Sequence, residues 1–234
     1  MQKASSVRNP PWVVWGLCVL TAAGFLWASH LVAGAPNEPT MGLVQRIFYF
    51  HVPCAWQSLF GAFLAGGAGC IFLFRGSASA HRVAIAAAEL TVLFGLCVLI
   101  TGPLWARKAW GVWWQWDVRL TTTALLWVIF LAALFAEKYG GPGSSRLSSG
   151  LLLFGAADVP MIYISVSLWR TIHPKTSVVS TLDPAMRLAL WVSVATFTLL
   201  FVLLLYLRLQ VLAKQARLEE LNLRAEDTGL WEDH

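Results

Sequence analysis

Apolar residues in this chain come in long unbroken runs, without the alternation of a half-buried strand. Six of these runs are long enough to span a membrane as helices: 12–34, 53–74, 83–104, 120–136, 148–169 and 185–207. A hydrocarbon core about 30 Å thick takes about 20 helical residues. Lipid offers no partner to a free backbone group, so open sheets are excluded. The expected fold is therefore all-α: a polytopic membrane protein with six transmembrane helices. Two connections are short and rich in breakers, 75–82 and 137–149, the second holding Gly140, Gly141, Pro142 and Gly143. The connections on the other side, 35–52, 105–119 and 170–184, are longer and carry aromatic, His and Arg residues. Long non-spanning segments in a compact bundle are commonly functional. The side bearing them is the expected working face.

Charge orients the bundle. With the N-terminus inside, ten Lys and Arg fall on inner segments and seven on outer ones. That balance favours both termini in the cytoplasm by the positive-inside rule. Three of the outer cations, Arg107, Lys108 and Arg119, flank or lie within one segment and suit an anionic partner. Composition closes the class: 58% hydrophobic residues, 12% charged, and a mean hydropathy of +0.65. Residues 1–208 form one transmembrane unit, and 209–234, with mixed charges, read as a polar cytoplasmic tail. Ala33-Gly34-Ala35 resembles a signal cleavage site, but the apolar run before it exceeds a signal core, so a retained helix is expected. Cys18, Cys54, Cys70 and Cys97 show no C-x-x-C spacing, which argues against a zinc site or a covalently attached haem.

The most unusual stretch is 110–119, Trp-Gly-Val-Trp-Trp-Gln-Trp-Asp-Val-Arg. An indole offers a large flat face and a single N–H donor. Four of them at a membrane edge make either a dense interfacial anchor or a shelf for a planar ligand. Trp110, Trp113, Trp114 and Asp117 fall at i, i+3, i+4 and i+7, which predicts one face of a short interfacial helix, with Trp116 off it. Pro103 fits the turn leaving the third helix.

Two histidines share that side. His51, in Phe48-Tyr49-Phe50-His51-Val52-Pro53, precedes the second run, and His173, in Trp169-Arg170-Thr171-Ile172-His173-Pro174, follows the fifth. Each alone reads as a polar interfacial residue. Two at matched depth beside an indole cluster suit the axial positions of a haem iron. His30 has no aromatic or basic company, and His81 and His234 read as solvated. Arg119, Arg107 and Lys108 match the carboxylates of a planar ligand such as haem, or serve as snorkelling interfacial cations. Asp117 also fits the N-cap of the fourth helix. Glu89 and Asp158 lie within apolar runs, where they either join helices or line a ligand path.

The segment Trp110-Gly111-x-Trp113-Trp114-x-Trp116-Asp117-x-Arg119-Leu120-Thr121 resembles the tryptophan-rich WWD signature of haem-handling proteins in cytochrome c maturation. With six helices, His51-Val52-Pro53, Ala157-Asp158-Val159-Pro160 and His173, the chain over about 45–190 is similar to the CcmC family. The resemblance implies haem b with His51 and His173 as axial ligands on the periplasmic side of a bacterial inner membrane. It implies that Trp110, Trp113, Trp114, Trp116, Asp117 and Arg119 hold the haem. It further implies work beside the ATP-binding-cassette pair CcmA and CcmB and the small CcmD, with delivery to the haem chaperone CcmE. No Gly-rich phosphate loop is present, so the chain is expected to be no enzyme by itself. The alternative is a transporter of an apolar solute whose tryptophans form only an interfacial belt. An electron-transfer cytochrome b would need His at depth in facing helices, and no His lies in the middle of any apolar run.

Overall fold

The computed structural model describes residues 11–39, 41–171, 173–174 and 178–227. Lys3, Arg8, Lys175 and His234, weighed above by charge or chemistry, lie outside the described residues. Seven α-helices follow in order: α1 Pro11–Gly34, α2 Phe48–Arg75, α3 Ala78–Trp110, α4 Val118–Tyr139, α5 Ser144–Leu168, the one-turn α6 Val178–Thr181, and α7 Pro184–Asp227. A 3₁₀ turn, Leu43–Ile47, leads into α2. All but α6 are long and apolar enough to cross a membrane, which gives the six expected spans. Their up-and-down order places the described residues between α1 and α2, between α3 and α4, and between α5 and α7 at one end of the bundle.

α2 is the axis, packed against α3, α5 and α7, while α4 pairs with α5 and α1 rests on α7. Between helices in lipid, close approach of small residues replaces the hydrophobic drive available in water. Gly61 is the clearest case: a β-carbon there would sit 2.6 Å from Thr91 Oγ1 on α3. One at Gly66 would sit 2.3 Å from Ala156 Cβ on α5. Fully buried Ala84, Ala87 and Ala88 continue the small-residue seam on α3. Polar side chains add cross-links. Gln57 Nε2 donates to Thr198 Oγ1 at 2.9 Å, and Trp127 Nε1 donates to the Val92 carbonyl at 2.9 Å.

The charged residues inside the runs take different roles. Glu89 on α3 receives two hydrogen bonds from Arg208 on α7, at 2.5 and 2.7 Å, so it joins two helices. Asp158 Oδ2 is buried with no hydrogen-bond partner. His81, expected to be solvated, instead lies in the first turn of α3 and meets Glu137 on α4 at 2.8 Å. The reason is that α3 starts at Ala78, earlier than the apolar run suggested, and carries the ring into the bundle.

Candidate functional site

α3 continues through Pro103, which was expected in the turn leaving this helix, and ends at Trp110. Proline in a helix costs one backbone hydrogen bond and bends the axis. Packing still holds the helix, because Trp105 and Ala106, just beyond it, are buried. Gly111 then stops it with φ at 77°, a left-handed conformation open mainly to glycine. Residues 112–117 are irregular until Asp117 caps α4, its Oδ1 accepting from Leu120 N at 2.8 Å. The short interfacial helix expected over this segment is therefore absent. The i, i+3, i+4, i+7 spacing of Trp110, Trp113, Trp114 and Asp117 was coincidental, because Gly111 breaks the helix one residue into it.

The indoles still gather. Trp110, Trp113 and Trp114 line one cavity together with His51, His173 and Arg119. The space it encloses is about 80 Å³, and it opens to the exterior. Below the histidines the wall is apolar, with Leu59, Val98, Leu99, Leu126 and Trp127 running down between α2, α3 and α4. Trp116 is not in the wall. It is 79% exposed, with its ring edge-on to Trp114 at 5.6 Å. Asp117 is not in the wall either. Its Oδ2 accepts the Thr171 hydroxyl, and Thr171 Oγ1 in turn accepts the His173 backbone N–H at 3.1 Å. The carboxylate thus ties the Trp segment to the loop that carries His173.

The two imidazoles reach the cavity from different supports. His51 lies inside α2, in its first turn, and is only 6% exposed. Its Nδ1 is 2.9 Å from Thr101 Oγ1, and its ring meets that of Trp105 edge-on at 5.9 Å. Gly102 gives it room, since a β-carbon there would come within 3.3 Å of His51 Cε1. His173 sits in the loop after α5, where its Nδ1 is 2.8 Å from the Pro174 carbonyl. A carbonyl carries no proton, so Nδ1 donates and Nε2 keeps its lone pair. Burial, aided by the positive charge of Arg119, pulls the His173 imidazole down to about 4, against the opposing pull of the Pro174 carbonyl and Asp117. This ring is neutral at pH 7, as a metal ligand must be.

Arg119 projects from the first turn of α4 into the cavity and donates to the Ile162 carbonyl of α5 at 3.3 Å. Arg107 turns away, donating to the Gly111 carbonyl at 2.6 Å as a cap of α3. His30 is exposed on α1 and is not in the cavity wall. Trp114 Nε1 is buried without a partner, an unused donor on a residue of the wall. Two imidazoles are an incomplete set for a bare ion such as zinc, which takes four ligands. Two imidazoles would suffice for an iron already held in a planar macrocycle. Sequence reading passed over Trp127, Thr101 and Gly102. The available signal was the Thr101-Gly102-Pro103 interruption of an otherwise apolar run.

Six membrane-length helices with an indole-lined cavity at one end define a multi-pass membrane protein. The sequence profile of the family described as Heme exporter protein C matches residues 2–224. Heme exporter protein C of Bradyrhizobium diazoefficiens is 35% identical over 207 residues, covering 86% of this chain and 77% of the relative. Its counterpart in Escherichia coli K12 is 32% identical over 206 residues, covering 86% and 82%. That of Paracoccus denitrificans is 29% identical over 220 residues, covering 90% and 89%. The chain belongs to the Heme exporter protein C family, CcmC.

Proposed function

We propose that this chain binds haem b at the periplasmic face of a bacterial inner membrane and hands it to a haem chaperone for cytochrome c maturation. One observation carries the reading: His51 and His173, from distant parts of the chain, line the same cavity as Trp110, Trp113, Trp114 and Arg119. In this reading both imidazoles ligate the iron, with Trp110, Trp113 and Trp114 against the ring. Arg119 is placed for a propionate, because a guanidinium fork matches a carboxylate. Trp116 contributes an exposed edge where a recipient can dock. Asp117 acts on the haem indirectly, through Thr171 and the His173 loop. Haem is cargo here. The chain by itself is a carrier, and any ATP-driven step belongs to CcmA and CcmB, with CcmD beside them and CcmE as recipient. Residues 1–208 form the haem-handling unit, and 209–234 lie in the cytoplasm with both termini.

The test is the visible spectrum of the purified protein, oxidised and reduced. A bis-imidazole spectrum in the wild type and its loss in His51→Ala/His173→Ala support the reading. Unchanged haem content in the double variant would remove the axial assignment. A wild type that holds no haem would return the cavity to an apolar solute.

A further inference from the structure

We infer that Thr101 is a positioning residue that fixes the tautomer of His51 and presents its Nε2 to the iron; this rests on the haem reading above. The hydrogen bonds themselves assign the proton. Thr101 Oγ1 lies 2.7 Å from the Cys97 carbonyl, one turn earlier on α3, and 2.9 Å from His51 Nδ1. A hydroxyl has one proton to give. The Cys97 carbonyl can only accept, and two bare oxygens at that separation would repel, so the Thr101 proton goes to Cys97. Thr101 Oγ1 then has only lone pairs to offer His51, so Nδ1 must carry the imidazole proton and Nε2 is left as the base. The chain Cys97 carbonyl, Thr101 hydroxyl and His51 ring runs in a single direction.

Three contacts hold that ring in place. Thr101 fixes Nδ1, Gly102 admits Cε1, and Trp105 meets the ring edge-on. All three supports come from one stretch of α3, two before Pro103 and one after it. Outer partners of a ligating histidine orient it and raise its basicity, and removing one typically costs about 10–100-fold in metal affinity. His173 reaches the same tautomer by another route, through a backbone carbonyl that no substitution at Pro174 would remove.

The test compares Thr101→Val, which keeps the shape and loses the hydroxyl, with Thr101→Ser, which restores it. In the haem-free full-length protein in lipid nanodiscs, nitrogen-15 NMR is expected to show His51 as the Nδ1–H form, becoming a mixture in Thr101→Val. Haem affinity is expected to fall about tenfold or more in Thr101→Val. The iron midpoint potential should rise, because the imidazole donates less. Thr101→Ser should return all three readouts towards wild type. An Nε2–H His51 in the haem-free wild type, or a Thr101→Val protein with unaltered potential and affinity, would overturn the inference. Loss of thermal stability without a change in potential would do the same, because it would mark a structural role only. If His51→Ala keeps its haem, the ligand reading fails, while the nitrogen-15 result still decides what Thr101 does.

Discussion

The Thr171 hydroxyl donates to Asp117 Oδ2 while Asp117 Oδ1 caps α4, so one carboxylate serves two segments that are distant in sequence. This makes the acid of the WWD signature a tie between the indoles and the loop that carries His173.

Asp117→Ala therefore has two separable effects. Loss of the cap costs about 1 kcal/mol of stability. Loss of the tie frees the loop, so exchange of the His173 amide with deuterated solvent speeds several-fold and haem content falls. A variant with protected His173 and normal haem would show that the tie is dispensable.

At Gly102 the expected effect grows with side-chain size. Alanine puts a β-carbon 3.3 Å from His51 Cε1, which a small shift of the ring absorbs. Leucine fills space beside the ring and should lower haem occupancy sharply while circular dichroism shows the helices intact. Equal occupancy in both variants would mean the ring does not lie where haem binds.

His173 supplies a pH dependence. Its imidazole titrates near 4 when folded, against about 6.5 in an unfolded chain. Between those values the unfolded state binds more protons, so stability rises with pH. The contribution of neutral His173 is complete above about 6.5 and is lost as pH falls towards 4. Melting of the haem-free wild type should lose more across that window than melting of His173→Asn. Parallel curves would contradict the assignment.

The Glu89–Arg208 pair should matter to stability and not to haem. Its side chains are 31% and 33% exposed, between the surface and buried cases. Glu89→Gln should therefore cost about 1–3 kcal/mol. Thermal unfolding in detergent measures this, and haem content per folded protein should match wild type. A fall in content would connect this pair to the site.

What could be read from the sequence divides along physical lines. The six spans were legible because lipid imposes a length and an apolar content that any such helix must meet. His51 and His173 were legible because helix alternation puts both at one end of the bundle. The path between Trp110 and Asp117 was not, because helical spacing in indoles also arises by chance and one glycine outweighed it. Thr101 and Trp127 were hidden for another reason: their partners, His51 and the Val92 carbonyl, are far away in sequence. His81 was misjudged because the apolar run underestimated how early α3 begins.

From Pro184 to Asp227, α7 holds no proline or glycine after its first residue. At 1.5 Å per residue it is a rod about 66 Å long, roughly twice the hydrocarbon thickness. Such a rod has no hinge. At its near end Ala189 and Leu190 pack in one cluster with Trp105, while Glu219 and Glu220 lie on exposed turns at the other end. One unbroken helix thus joins the wall beside His51 to the opposite end of the bundle.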